Sequence, residues 1–134
     1  MAVNFGVNYV AVIVAAVAAV VIGIVYYGVA GLGDRLARMA GSTPRGRPSP
    51  AQLAIGGAVA LVNAWVLSVL SLNLGGASIT DGIVLGVLVW LGFLATVSAA
   101  QVAFQGRPWN AWLLTNAHDL LIQAVMGAIV TAWR

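Results

Sequence analysis

The chain has 134 residues, of which 62% are hydrophobic and only 7% are charged, and its formal net charge at pH 7 is +3. A water-soluble domain carries roughly 25% charged residues, so this composition excludes a soluble fold and indicates a protein that lives in lipid. The chain contains no cysteine, which excludes disulfide bonds, thiolate catalysis and cysteine metal sites.

Four segments of the chain are long and apolar enough to cross a bilayer, which takes roughly 20 residues of helix. They cover approximately residues 9–29, 51–72, 82–104 and 109–133. The first apolar run exceeds the roughly 7–15 residues of a signal-peptide core, so we expect a retained helix there. Short connections make consecutive helices antiparallel neighbours. The sequence therefore predicts an all-α integral membrane protein, a single domain over residues 1–134 that forms an antiparallel four-transmembrane-helix bundle.

The arginines predict how this bundle is oriented in the membrane. Four of them lie between the first and second spans, namely Arg35, Arg38, Arg45 and Arg47. Arg107 lies between the third and fourth spans, and Arg134 follows the fourth. By the positive-inside rule, residues 30–50 face the cytoplasm and both termini face outward. Because topology accounts for these charges, the lipid bilayer is the expected partner and nucleic acid is not.

Small residues recur at steps of four in three of the spans. Lipid-embedded helices have no hydrophobic driving force between them, so close backbone approach and polar contacts must hold the bundle together. The predicted packing positions are Ala15, Ala19 and Gly23 in the first span, Gly56, Ala60 and Ala64 in the second, and Gly82 and Gly86 in the third. Together they predict a tight bundle that leaves surfaces for a second copy.

The fourth span carries a row of polar residues on an otherwise apolar helix. At about 100° per residue, Thr115, Asn116, Asp119 and Gln123 share one sector of the helix. Asp119 falls near the middle of the membrane, where an ionisable group costs roughly 2.5–3.5 kcal/mol on insertion scales and should face the bundle or water. Adjacent helical residues do not face each other, so we expect the neighbouring His118 to look toward a different helix rather than pair with Asp119.

Two interpretations of this polar face stay open. In the structural one, Asp119, Asn116 and Gln123 hydrogen-bond polar residues of neighbouring helices, and such bonds average about 0.6 kcal/mol in membranes. In the functional one, Asp119 lines a polar cavity and binds a cation or a proton, with His118 as a second titrating group. The expected partners on other helices are Asn63, Ser68, Ser71 and Gln101. Thr80 or Asp81 is expected to cap the start of the third span.

These residues favour a transporter over an enzyme. A catalytic metal takes about three protein ligands, and a chain with one histidine, no cysteine and no glutamate predicts no catalytic residues, no metal and no cofactor. The leading hypothesis is a proton- or cation-linked transporter or channel-like protein. Four helices enclose little space, so this hypothesis requires a homo-oligomer, a dimer or larger. The alternative is a non-catalytic accessory or structural subunit of a larger membrane complex.

Several segments resemble one known family of membrane proteins. They read DGIVLGVLVWLGF (81–93), FQGRPWNAWLLTNA (104–117) and MGAIVTAW (126–133), with GIVYYG (23–28) in the first span. These segments are similar to the bacterial family named domain of unknown function 1761. The resemblance implies a small multi-spanning protein of the bacterial inner (cytoplasmic) membrane, and it implies no activity.

Overall fold

The computed structural model describes residues 1–43 and 46–134 of the chain. Within these residues the chain forms helices and no strands. The helices are α1 (Tyr9–Val29), α2 (Leu32–Met39), α3 (Pro50–Leu74), α4 (Ile79–Gln105) and α5 (Trp109–Ala132). All but α2 are long and apolar enough to span a membrane, which confirms the predicted fold class. Arg45, one of the arginines used to predict orientation, lies outside the described residues.

Local signals in the sequence explain where α3 and α4 begin. Ser49 caps α3 in a capping box with Gln52, and Ser78 caps α4 in a capping box with Asp81. The Asp81 carboxylate accepts the backbone N–H groups of Ala77 and Ser78, each at 3.0 Å. The predicted cap at Thr80 or Asp81 was therefore misplaced, since Ser78 is the N-cap residue and Asp81 supports it from the third helical position.

Contacts near the helix ends give the directions of the spans. α1 and α5 are antiparallel, because Asn8 donates to the carbonyl of Trp133 at 3.3 Å while Tyr26, near the other end of α1, donates to Leu114 O at 2.6 Å. Ser71 meets Thr131 at 2.8 Å, so the last turns of α3 and α5 lie at the same end. We call the opposite end, where α2 and Arg107 lie, the arginine side.

The largest interface in the bundle joins α4 to α5, and glycine makes it possible. A Cβ added at Gly82 would overlap the backbone carbonyl of Gly127, and a Cβ at Gly86 would overlap that of Gln123. The two backbones therefore touch directly. Such close approach gains dispersion energy and is typical of helix pairs in membranes.

The predicted packing positions are buried at both glycines of α4 and only partly in α1 and α3, since Gly23 of α1 is half-buried. Ala15, Ala19, Ala60 and Ala64 are buried and join one core cluster with residues of α5. Gly56, by contrast, is exposed, and a Cβ added there would meet nothing within 4 Å. The prediction for Gly56 was wrong because α1 and α3 are separated here by an apolar groove, which the adjacent Gly57 lines together with Val20 and Val21 of α1.

The outside of the bundle is covered by large apolar side chains. Phe93 is 71% exposed, Val62 is 62% exposed and Ile83 is 41% exposed. An exposed apolar surface that encloses a whole domain would cause aggregation in water. Around a bundle of this length, the same side chains contact lipid tails.

α2 is a short amphipathic helix that folds back against the end of α1. Its apolar Leu32 and Leu36 are half-buried, whereas Arg35 and Arg38 are exposed. A Cβ at Gly33 would meet the backbone oxygen of Tyr27 at 2.7 Å, so the two helices touch backbone to backbone. Such a helix suits a position in the plane of the membrane interface.

The close α4–α5 contact predicts a large difference between two glycines of α4. We expect Gly86→Ala to lower the free energy of unfolding by about 1–3 kcal/mol, the usual cost of overpacking. We expect Gly92→Ala to leave it almost unchanged, since a Cβ at Gly92 meets nothing within 4 Å. Unfolding of both variants by denaturing detergent measures this difference, and equal stability would contradict the packing described here.

Candidate functional site

The only histidine of the chain pairs with its sequence neighbour. His118 Nδ1 lies 3.0 Å from Asp119 Oδ1, with 12% of the His118 side chain and 26% of the Asp119 side chain exposed. The pair lies about 15 Å along α5 from its first residue, at 1.5 Å per residue, and so near the middle of the span. The expectation that these two residues would not pair was wrong.

Side-chain rotation explains why the helical wheel failed here. The 100° between successive residues separates their Cβ directions, but a carboxylate and an imidazole each extend further and turn about two torsions. Asp119 uses that freedom to turn sideways along the helix surface toward His118. A buried carboxylate needs a hydrogen-bond donor, and the imidazole N–H next to it in sequence supplies one.

Two tyrosines of α1 enclose the imidazole ring. The Tyr26 and Tyr27 ring centroids lie 5.3 and 4.7 Å from that of His118, with interplanar angles of 51° and 50°. Residues Ile24–Val29 form a π-helical segment, a rare geometry that occurs often at functional sites. Its wider turn brings two adjacent tyrosines to the same partner.

One nitrogen of the histidine is left without a partner. His118 Nδ1 faces Asp119 Oδ1, whereas His118 Nε2 is buried and has no hydrogen-bond partner within the described part of the chain. A neutral imidazole that donates from Nδ1 carries a lone pair on Nε2. In that tautomer the Nδ1–H is hydrogen-bonded to Asp119 and the Nε2 lone pair is a free acceptor.

A second polar cluster joins α4 to α5 around Ser98. The Ser98 hydroxyl accepts the indole N–H of Trp112 at 3.0 Å and the side-chain amide of Asn116 at 3.2 Å. It donates to Leu94 O at 2.6 Å. Asn116, which is only 3% exposed, thus faces the bundle as predicted, but its partner is Ser98.

This second cluster also adjoins a π-helical segment, formed by residues Trp90–Ala95. Thr96 donates its hydroxyl to Gly92 O at 2.8 Å, and Ser98 bonds the carbonyl of Leu94 in the same way. Side-chain hydroxyls therefore satisfy carbonyls where the regular helical hydrogen bonds are disturbed. Both π segments of the described chain contact the half of α5 nearer the arginine side.

The remaining predicted site residues do not gather around Asp119. Gln123 is fully buried, but neither atom of its side-chain amide has a hydrogen-bond partner among residues 1–43 and 46–134. Thr115 is half-buried near Tyr27. Asn63 is half-buried on α3, and Gln101 is exposed on α4. Ser71, one of the suggested partners, bonds Thr131 instead.

Sequence reasoning missed Tyr26, Tyr27 and Ser98 as neighbours of the polar face. The aromatic pair in GIVYYG was visible, but its position suits an interfacial belt equally well. Ser98 looked like any small residue of a membrane helix. In both cases the missing information was the local π-helical geometry, for which the sequence carries no periodic signal.

A comparison with protein families gives one match. The family described as "Protein of unknown function (DUF1761)" matches residues 10–131. The chain belongs to the DUF1761 family. This confirms the resemblance seen in the sequence, and the matched residues include His118, Asp119, Tyr26 and Tyr27. Comparisons with curated proteins and with solved structures find no match.

The hydrogen bonds around Ser98 predict that the stability of this DUF1761 protein depends on the Ser98 hydroxyl. Ser98→Ala leaves the Trp112 indole N–H without a partner, at about 1–3 kcal/mol for an unsatisfied group, and leaves the Asn116 amide with only the carbonyl of Trp112. Thr96→Val is the matched control, because the exposed Thr96 hydroxyl bonds only the carbonyl of its own helix. Detergent unfolding should show the larger loss for Ser98→Ala, together with a change in indole fluorescence. A larger loss for Thr96→Val would refute this role.

Proposed function

We propose that this protein is a small oligomeric transporter or channel-like protein that moves protons or small cations, with the His118–Asp119 pair as the exchange site. One observation carries the proposal: an ionisable pair, hydrogen-bonded at 3.0 Å, lies near the middle of a helix that has no other ionisable residue. A group of this kind within a membrane span is by default a functional candidate. The protein is proposed to be non-enzymatic.

The energies of the alternatives favour a function over a role in packing. One interhelical hydrogen bond in a membrane contributes about 0.6 kcal/mol on average, whereas inserting a carboxylate costs about 2.5–3.5 kcal/mol. Asp119 makes its hydrogen bond to its own helix neighbour, so that bond joins no two helices. Packing in this bundle rests on the glycines and alanines instead, and a carboxylate is not needed for it.

Exposure of Asp119 supports an oligomer. The Asp119 side chain remains 26% exposed in the single chain, and four helices enclose little space between them. A second copy packed against this surface would keep the carboxylate away from lipid and would build the other wall of a pathway. We therefore propose a homodimer or a larger homo-oligomer.

The proposal includes a location and an orientation. Arg35, Arg38 and Arg107 are exposed at one end of the bundle, and Arg134 ends the chain beyond the other. The positive-inside rule then puts the arginine side in the cytoplasm and both termini outside. Family resemblance supports the inner (cytoplasmic) membrane of a bacterium as the location.

Asp119→Asn tests the proposed exchange site. In proteoliposomes with an imposed pH gradient, we expect this variant to lose most of the proton or cation flux, because the amide cannot take up or release a proton. Asp34→Asn is the matched control, since Asp34 is exposed on α2 and loses the same charge. Unchanged flux in Asp119→Asn, or an equal loss in Asp34→Asn, would remove the basis of the proposal.

An accessory subunit is the second candidate, and an exposed apolar groove favours it. The groove lies between α1 and α3, measures about 420 Å³ and includes Gly57 and Ala16. A Cβ added at Gly57 or at the adjacent Gly56 would meet nothing within 4 Å. Small residues on a lipid-facing surface let a foreign helix approach closely, as a subunit of a larger complex requires.

Native mass spectrometry after extraction in mild detergent separates the two candidates. Transport by this chain predicts a homo-oligomer whose mass is a multiple of the chain mass, and the accessory role predicts a fixed ratio with a different protein. Gly57→Leu should dissociate a hetero-complex by filling the groove, while leaving a homo-oligomer formed around Asp119 intact. A monomer that alone sustains flux would overturn both assembly proposals.

A further inference from the structure

The two ring nitrogens of His118 have different surroundings, because one has a hydrogen-bond partner and the other has none. Nδ1 is held at 3.0 Å from Asp119 Oδ1. The Tyr26 and Tyr27 rings lie beside the imidazole at centroid distances of 5.3 and 4.7 Å. Nε2 is buried and has no hydrogen-bond partner among the described residues. Of the polar atoms in the ring, Nε2 is the one that can accept a further partner.

Gly23 lies directly beside this free nitrogen. A Cβ added at Gly23 would lie 3.4 Å from His118 Nε2 and would meet no other atom within 4 Å. Gly23 is also the last residue of the regular part of α1, before the π segment Ile24–Val29. A side chain at this position would therefore fill the space beside the buried Nε2, and the glycine leaves that space empty.

We propose that His118 Nε2 is the atom at which the site takes up a proton, and that Gly23 leaves unfilled the space beside this buried atom that the proton must enter. The inference rests on the proposed function and names its substrate as the proton. A proton that bonds to Nε2 makes the ring an imidazolium. The Nδ1–H proton then passes to Asp119 Oδ1, which leaves a neutral ring with its proton on Nε2 and a neutral carboxylic acid. One proton is taken up, and the charge of the site rises by one.

Few other charged groups compete for this proton. α1 contributes only the tyrosines 26 and 27 to the surroundings of the ring. α2 carries Asp34, Arg35 and Arg38 on its exposed side. α3 carries no titratable residue, and the one acid of α4, Asp81, caps the end away from the arginine side. His118 and Asp119 are therefore the ionisable groups of α5 that can take up this proton.

Gly23→Ala tests this inference without altering any titratable group. We expect proton uptake into proteoliposomes to fall about tenfold, equivalent to about 1.4 kcal/mol in the activation free energy, because the added methyl covers Nε2. Gly28→Ala is the matched control, since a Cβ there meets nothing within 4 Å and lies on the same helix. Thermal unfolding of both variants should match that of the natural chain, because 3.4 Å is an ordinary van der Waals contact.

Gly23→Ser separates a blocked proton path from simple crowding. A serine hydroxyl can hydrogen-bond Nε2 and pass a proton to it, so uptake should be faster in Gly23→Ser than in Gly23→Ala. Crowding alone gives the reverse order, since serine is larger than alanine. The reverse order, or uptake in Gly23→Ala equal to that of the natural chain, would overturn the inference.

A chemical readout distinguishes failure of this inference from failure of the proposed function. His118 is the only histidine, so the rate of its acylation by diethyl pyrocarbonate in detergent, followed by mass spectrometry, reports access to the ring nitrogens directly. Gly23→Ala should slow this reaction and Gly28→Ala should not. If Asp119→Asn leaves flux unchanged, transport is refuted whatever this rate shows. If Asp119→Asn abolishes flux but Gly23→Ala leaves both flux and the acylation rate unchanged, the role of Nε2 is refuted and the proposed function stands.

Discussion

Direct backbone contact between α4 and α5 is the constraint on which this bundle depends. In lipid, apolar side chains gain nothing by leaving the solvent, so helix association rests on close packing and on polar contacts. Gly82 and Gly86 let α4 reach the backbone of α5 at Gly127 and Gln123. This contact fixes the height and rotation of α5, and α5 carries the histidine, the aspartate and the partners of Ser98. The position of the site follows from glycines that take no part in it.

Much of the fold could be predicted because lipid imposes simple rules on a sequence. Length and hydropathy identified the four spans, and the small residues Ala15, Ala19, Gly82 and Gly86 marked real interfaces. The prediction for Gly56 failed because spacing alone does not tell whether two neighbouring helices pack closely at that level or leave a groove between them. Asn63 is half-buried on α3, and spacing along one helix did not tell which polar side chains of another helix lie within its reach.

The candidate site was harder to predict than the fold. The predicted bounds of the fourth span placed Asp119 near the middle of α5, where the structure also has it. The helical wheel wrongly separated Asp119 from His118, because it describes Cβ directions and not the reach of the side-chain atoms. The tyrosines and Ser98 depend on π-helical segments in α1 and α4. A π turn shifts every later residue relative to a regular helix, so predictions that assume 3.6 residues per turn lose their register beyond it.

The two halves of α5 have different surroundings. Toward the termini, Gly127, Val130 and Thr131 are buried against regular helices, and Thr131 hydrogen-bonds Ser71. Toward the arginine side, α5 meets the two π segments, and it is there that His118 keeps a free nitrogen and Asp119 keeps an exposed oxygen. Regular packing holds a helix in one place, whereas disturbed helical hydrogen bonds allow small local shifts. In this bundle the close helix contacts lie at one end of α5, and the ionisable pair lies toward the other end, beside the irregular turns of α1 and α4.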